Sequence, residues 1–240
     1  MSDFAVVIPA RYASVRLPGK PLRDIAGKPM IRHVWERAIA SSATEVVIAT
    51  DDERIADAAE AFGATVCMTG DQHNSGSERI AEVCDIMDWP DARIVVNLQG
   101  DEPTMPPALI DQCAALLDDP SADIGTLASP IASQQDMHNP NVVKAVADAA
   151  GNAVYFRRAL LSPDDAAIAM HHHGIYSYRC GVLRRLVAAP PCDIELSERL
   201  EQLRALHLGM TIRIAVPVVR PGAGVDTEED LALAAVQLSR

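Results

Sequence analysis

An apolar run, Phe4–Ile8, stops at Pro9 and is followed within ten residues by Arg11, Arg16 and Lys20. The chain carries a formal charge of −12, so three cations in a Pro- and Gly-marked loop stand out against an acidic background and point to an anion. Two more stretches carry chemistry of the opposite sign. In VVNLQGDEP a buried strand runs out into Gln99, Gly100, Asp101 and Glu102, and in PGAGVDTEEDL Asp226 stands between a Gly-rich turn and a helix start. Two carboxylates brought to one sheet edge, facing Lys20 and two arginines, suit a magnesium–phosphate site, because Mg²⁺ is typically held by one or two carboxylates plus phosphate oxygens. The same residues have plainer readings. Asp101 could only start a turn before Pro103, and Asp226 has capping-box spacing to Glu229, although Thr227 and Asp230 offer a similar cap. Ser75-Gly76-Ser77-Glu78 also has capping-box spacing. It fixes a helix N-terminus whose positive dipole end favours phosphate and sets Arg79 in the first turns.

These loops need elements to hold them. Phe4–Ile8, Glu45–Thr50, Ala64–Met68 and Arg93–Leu98 are short Val/Ile-rich runs of the kind that buried parallel strands show. Between them lie helical periods: Met30, Ile31, Val34, Trp35, Ala38 and Ile39 make one apolar face, as do Ile55, Ala58, Ala59 and Phe62, and Ile80, Val83, Cys84 and Met87. The β-α-β order predicts an open, mostly parallel sheet with ligands beyond the carboxyl ends of its strands. Asp123–Ile131, Val142–Val146, Ala153–Phe156 and Gly174–Tyr178 read as further strands with few helices between them, forming an antiparallel extension or small subdomain. One helix is expected over Glu195–Leu208, with Leu196, Leu200 and Leu203 as its apolar stripe and Glu195, Glu198 and Gln202 on the opposite, by default solvated, face. A strand at Thr211–Val218 and a last helix from about Thr227 complete the order.

Composition excludes several classes. At 240 residues with 49% hydrophobic and 22% charged residues, the chain suits one large α/β domain, alone or with a modest insertion. The acidic balance disfavours non-specific nucleic-acid and anionic-membrane binding. No apolar run approaches the roughly 20 residues of a membrane span, and no signal peptide is expected. Five dispersed cysteines without CxxC spacing read as reduced thiols of a cytoplasmic protein. GxxxxGK[ST] does not occur, and Gly222-Ala223-Gly224 lacks the third glycine of a dinucleotide fingerprint. At most two of His171, His172 and His173 could share a ligand in an extended segment, which disfavours zinc.

Taken together, VVIPARYASVRLPGKPL, NSGSERIAEV, VVNLQGDEP, NPNVVKAV, HHGIYSYR, ERLEQLRAL and GVDTEEDL resemble the bacterial 3-deoxy-manno-octulosonate (KDO) cytidylyltransferases, or CMP-KDO synthetases, from about Phe4 to Leu231. The resemblance implies a Rossmann-like nucleotide-diphospho-sugar transferase fold of the α/β class, a mostly parallel sheet with a small mixed or antiparallel extension. It implies a single domain over 1–240, with about 123–190 as an inserted dimerisation and sugar-side subregion, and a homodimer that uses CTP and Mg²⁺. The product would be CMP-KDO for lipopolysaccharide assembly, with pyrophosphate released. By the same resemblance Arg11, Arg16 and Lys20 hold the triphosphate, and Asp101 and Asp226 bind Mg²⁺. Pro9, Ala10, Ser75 and Arg79 frame the nucleotide, while Gln99, Arg158, His172, Tyr176, Glu198 and Gln202 surround the acidic 3-deoxy sugar, with Arg158 paired to its carboxylate.

One stretch departs from that pattern. The family commonly has YFSR followed by an Ile-Pro pair, whereas this chain has YFRRALLSPDD: Arg157 replaces a serine and the loop up to Met170 is short. An amino-substituted octulosonate or a nonulosonate is therefore an alternative sugar. A non-catalytic nucleotide sensor is a further alternative, disfavoured by the joint presence of Lys20, Asp101 and Asp226.

Overall fold

The computed structural model describes residues 3–14, 17–131, 133–159 and 167–239. The first half alternates as expected: β1 (Phe4–Ala10), a two-residue hairpin of β2 (Asp24–Ile25) and β3 (Lys28–Pro29), α1 (Met30–Ile39), β4 (Glu45–Thr50), α2 (Glu53–Ala61), β5 (Thr65–Met68), α3 (Gly76–Ile86) and β6 (Ile94–Asn97). Next come α4 (Pro107–Ala115), β7 (Ile124–Pro130), α5 (Gln134–His138), β8 (Lys144–Ala147), β9 (Ala153–Arg157), β10 (Met170–Arg179) and α6 (Cys180–Ala188). The chain ends with α7 (Asp193–Glu198), α8 (Gln202–His207), β11 (Ile212–Ala215) and α9 (Glu228–Leu238).

The main sheet runs β11-β7-β10-β6-β1-β4-β5. Neighbours β6, β1, β4 and β5 are mutually parallel, as are β11 and β7, while β10 is antiparallel to both β6 and β7. Alternate side chains of β1 explain the layering. Ala5 and Val7 face a core shared with α3 and α6, and Phe4, Val6 and Ile8 face another shared with α1 and α4. A sheet covered on both faces needs its central strands apolar throughout, which is why they read as continuous Val/Ile runs.

The middle region supplies the expected mixed extension: β10 and β7 carry the sheet on beyond β6, β10 being antiparallel to both neighbours, and the β8–β9 pair hangs from β10. Helix α6 was not anticipated. The helix expected over Glu195–Leu208 is broken at Arg199, whose backbone is left-handed at φ 54°. The reason lies in Glu195 and Arg204. Residues nine apart on a straight helix point to opposite sides. The break folds α8 back so that Arg204 grips the Glu195 carboxylate bidentately at 2.8 and 2.5 Å, both side chains being buried. Glu195 is thus a buried ion-pair partner and not part of a solvated face.

Two histidines on β10, His172 buried and His173 partly so, give the fold a pH dependence. Burial, with the neighbouring histidines, lowers His172 to about 3 and His173 to about 4. Unfolded chains take up these protons near pH 6.5, while the folded protein does so only near those depressed values, so stability is full above about pH 6.5 and falls on acidification. We expect a decline of up to about 1.4 kcal/mol per pH unit per ring below that point. Melting temperatures between pH 7 and 4 check this, and His173→Gln should flatten the slope. A variant as acid-sensitive as the parent would exclude His173 as a cause.

Candidate active site

The carboxyl ends of β1, β4, β5 and β6 all open on one side, and the loops leaving them build a continuous cleft. After β1 the chain turns through Gly19, at φ 65°, and delivers Lys20. The Lys20 ammonium donates to Asp101 Oδ2 at 2.7 Å and to Asp226 Oδ1 at 2.8 Å, joining residues from the β6 loop and the segment before α9. Asp226 does not cap α9. Thr227 does, its hydroxyl accepting from Asp230 N at 3.2 Å while Asp230 accepts from Thr227 N at 2.9 Å. Backbone contact locks the loops together: Val225 N–H donates to Asp101 O at 2.9 Å, and Gly100 packs so tightly that a Cβ there would stand 2.8 Å from Pro9 O.

Charge in this corner is unbalanced. Burial pulls the Lys20 ammonium down, but Asp101 and Asp226 more than offset this and hold it above its ordinary value. Glu102 stands beside them with a fully buried Oε2 that has no hydrogen-bond partner among the described residues. Burial pushes its carboxyl up to about 8, with Asp101 adding to the effect. Near neutral pH Glu102 is therefore largely uncharged, and the two carboxylates of Asp101 and Asp226 meet one ammonium. With Pro9, Ala10, Arg11, Gln99 and Gly100, Lys20, Asp101 and Asp226 line a cleft of about 660 Å³. Arg16 lies outside the described residues.

Two smaller recesses flank this cleft. Toward β5, one is lined by Pro9, Ala10, Arg11, His73, Asn74, Ser75, Gly76, Arg79 and Gln99. Arg79 is pinned there, donating to Asp51 at 3.0 Å and to Thr69 Oγ1 at 2.5 Å. Toward β10, the other is lined by Ser77, Asn97, Gln99, Tyr176, Tyr178, Glu201 and Gln202, among others. Ser75, the cap of α3, and Ser77, in its first turn, both donate through their hydroxyls to Glu201 at 2.7 Å and so tie the start of α8 to α3.

Of the residues expected around the sugar, Gln99, Tyr176 and Gln202 line this second recess. The others lie elsewhere. His172 is buried behind Tyr176, its ring 5.2 Å away, with Nε2 3.1 Å from Thr126 Oγ1. The Arg158 guanidinium donates to the carbonyls of Glu198, Pro140 and Arg199 at 2.9, 3.1 and 3.3 Å. Glu198 accepts from Arg158 N at 3.1 Å and faces Arg157 Nε at 3.6 Å, so Arg157, the departure from the family pattern, sits against a residue expected to meet sugar. Residues 160–166 of that unusual loop lie outside the described residues. Sequence reasoning missed Glu201, Asn97, Tyr178 and Glu102. Glu201 was hidden by the assumption of a straight helix, and Glu102 follows Asp101 in sequence, which was signal enough to weigh it.

Comparison with known proteins bears on this geometry. Residues 5–212 match the cytidylyltransferase family. The 3-deoxy-manno-octulosonate cytidylyltransferase 1 of Actinobacillus pleuropneumoniae serotype 5b is 51% identical, over 95% of this chain and 96% of that protein. A relative of the same name from Thioalkalivibrio sulfidiphilus is 52% identical over the same shares of each chain. Among solved structures, a CMP:2-keto-3-deoxy-manno-octonic acid synthetase complexed with CTP superposes with a TM-score of 0.91 at 40% identity, covering 99% of both chains. A cleft of this construction and likeness over nearly the whole length lead to one conclusion: the chain belongs to the cytidylyltransferase family, among the 3-deoxy-manno-octulosonate cytidylyltransferases.

Proposed function

We infer that this protein transfers the cytidylyl group of CTP to KDO, giving CMP-KDO and pyrophosphate. The observation that carries the reading is the meeting of Lys20, Asp101 and Asp226 from three distant parts of the chain at the mouth of the parallel strands. The 2-hydroxyl of the sugar acid attacks the α-phosphorus and pyrophosphate leaves, a transfer governed by positioning and by stabilisation of charge. Arg11 and Lys20 supply positive charge to the triphosphate. Gln99 lines all three recesses and stands where nucleotide and sugar meet.

The donor set suits magnesium. Asp101 and Asp226 are oxygen donors of the kind the ion prefers, and the excess of carboxyl groups over ammonium, with the orphaned Glu102 oxygen, favours a cation there. No cluster of three or more metal-binding side chains occurs among the described residues, so phosphate oxygens and water would complete the shell. When bound, Mg²⁺ polarises phosphate oxygens. Lys20 must then share its carboxylates with the ion and turn its charge toward the triphosphate.

The sugar acid is assigned to the recess beside β10, where Tyr176, Gln202, Asn97 and Glu201 offer hydroxyl, amide and carboxylate groups. Gln202→Ala is expected to raise the KDO requirement about three- to tenfold, through one lost hydrogen bond, and to leave the CTP requirement unchanged. Steady-state kinetics in both substrates check it, and an unmoved KDO requirement would return Gln202 to the solvated face. We further assign the protein to the cytoplasm, which its five free cysteines support, and to a homodimer through the subregion carrying the exposed Val154 and Ile168. No helix among the described residues is long and apolar enough to cross a membrane. Pyrophosphate release from CTP with a panel of sugar acids, with and without Mg²⁺, tests the whole reading. Turnover of another sugar acid in preference to KDO would reassign the substrate.

A further inference from the structure

Tyr12 stands among residues of the charged cleft without lining it. Arg11, Ala13, Ser14 and Lys20 do line it, whereas the Tyr12 ring packs against the core that Phe4, Val6 and Ile8 share with α1 and α4. What Tyr12 touches joins the two ends of the cationic loop. A Cβ at Gly19, the left-handed residue that delivers Lys20, would stand 3.1 Å from the Tyr12 hydroxyl and 3.2 Å from the ring carbon that bears it, so the ring lies against the glycine. The Arg54 guanidinium lies over the same ring, 3.3 Å from its centroid. We propose that Tyr12 and Arg54 are positioning residues for the triphosphate: their stack, seated on Gly19, fixes the spacing of Arg11 and Lys20 before the nucleotide arrives. This rests on the CTP reading given above.

The guanidinium is aimed from beyond the end of β4. Asp52 caps α2, accepting from Arg54 N at 3.0 Å, and its carboxylate also accepts from Arg54 Nε at 2.9 Å and Nη2 at 2.6 Å. That two-pronged hold sets the plane of the cation. A guanidinium presents its flat face to an aromatic ring, whose electron-rich face attracts it. Three parts of the chain therefore meet at Tyr12: the start of the cationic loop, its end at Gly19, and the N-terminus of α2. Arg54 is 59% exposed, so the contact adds little to the stability of the fold. Its effect falls on the loop. Without the stack, Gly19 and Lys20 are released to other arrangements, and CTP binding weakens by the factor by which the competent population falls. The stack therefore acts on the nucleotide requirement, whereas the Lys20 charge, once in place, acts on turnover.

The test uses the intact enzyme, with Kd for CTP by calorimetry and steady-state pyrophosphate release at saturating KDO. Arg54→Ala should raise the CTP Kd and KM about two- to fivefold, the worth of one exposed cation–π contact, and lower kcat at saturating CTP far less. Tyr12→Leu, which removes the partner of both Gly19 and Arg54, should raise them about tenfold, and Tyr12→Phe, which keeps the ring, should recover most of that loss. Arg54→Ala added to Tyr12→Leu should cost nothing more, because Arg54 acts through the ring. If Arg54 met the phosphates itself, its loss would cost the same factor in either background, and that result overturns the inference. A folded Arg54→Ala enzyme with the parent's CTP Kd overturns it too, as does a lowered kcat with an unmoved Kd. Should Tyr12→Leu fail to fold, Asp52→Asn decides. It keeps the cap and loosens the hold on the guanidinium, so CTP binding should weaken by a smaller factor, and unmoved or tighter binding overturns the inference. A parent that binds CTP but releases no pyrophosphate would overturn the transferase reading and leave the stack to be judged on the Kd series, whereas a parent that binds no CTP overturns both.

Discussion

Asp101→Asn and Asp226→Asn should each cut turnover by about 10³-fold or more, while the melting temperature moves little. The expectation follows from charge. Each substitution keeps the shape but removes a negative oxygen donor from the proposed Mg²⁺ site, to which Asp101 and Asp226 are the two side chains assigned, and each lost electrostatic contact in such a site is worth about 10²–10³ in rate. Stability is spared because both carboxylates are partly exposed, at 38% and 46%, and exposed ion pairs contribute about 0–1 kcal/mol. Asp226 has a sharp control next to it. Thr227→Ala removes the actual cap of α9 and should cost about 1 kcal/mol of stability with turnover intact. If Asp226→Asn instead lowered the melting temperature and kept normal turnover, Asp226 would be a helix-end residue and the metal assignment would fall. Titrating Mg²⁺ into the parent and into each variant gives a second reading, since binding should weaken even where activity is too low to measure.

Lys20→Ala should lower kcat by about 10²–10³-fold and alter the KDO requirement far less. The Lys20 side chain is 12% exposed and is held by two carboxylates, so its position is set before substrate arrives. A preorganised charge acts most on the charge that grows in the transition state, which shows in kcat and not in ground-state binding. Loss of the ammonium leaves Asp101 and Asp226 facing each other, but their exposure lets water screen them, so folding should survive. Unchanged kcat with a raised CTP requirement would reassign Lys20 to uniform binding of the triphosphate. The two experiments are not additive, because all three side chains share one pair of contacts, and Lys20→Ala combined with Asp101→Asn should lose less than the product of the single effects.

What this chain declares in its sequence is local or motif-borne. Continuous Val/Ile runs at Phe4–Ile8 and Arg93–Leu98 marked strands covered on both faces, since such strands have no solvent side on which to alternate. The Ser75 cap was legible because the hydroxyl and the N–H it accepts from are three residues apart, and the Thr227 cap stood beside a competing one at Asp226 that only the structure removed. The cations after β1 and the carboxylates after β6 and before α9 were legible as groups gathered at one edge of the sheet, because the loops at strand ends meet there, and Lys20, Asp101 and Asp226 do meet. Other features depend on contacts between segments far apart, which no window of sequence contains. Lys20 bridges positions 81 and 206 residues away. The break at Arg199 answers to the Glu195–Arg204 pair, and it moved Glu198 away from the recess and brought Glu201 to the α3 serines. The insertion of β10 between β6 and β7 put Tyr176 beside the cleft and His172 behind it, a choice of strand order and register that period-two patterning cannot express. Arg158 carried the charge expected of a carboxylate partner, but its guanidinium donates to the Glu198 and Arg199 carbonyls at the turn into α8 and to Pro140 O beyond α5, contacts between segments far apart that the sequence does not display.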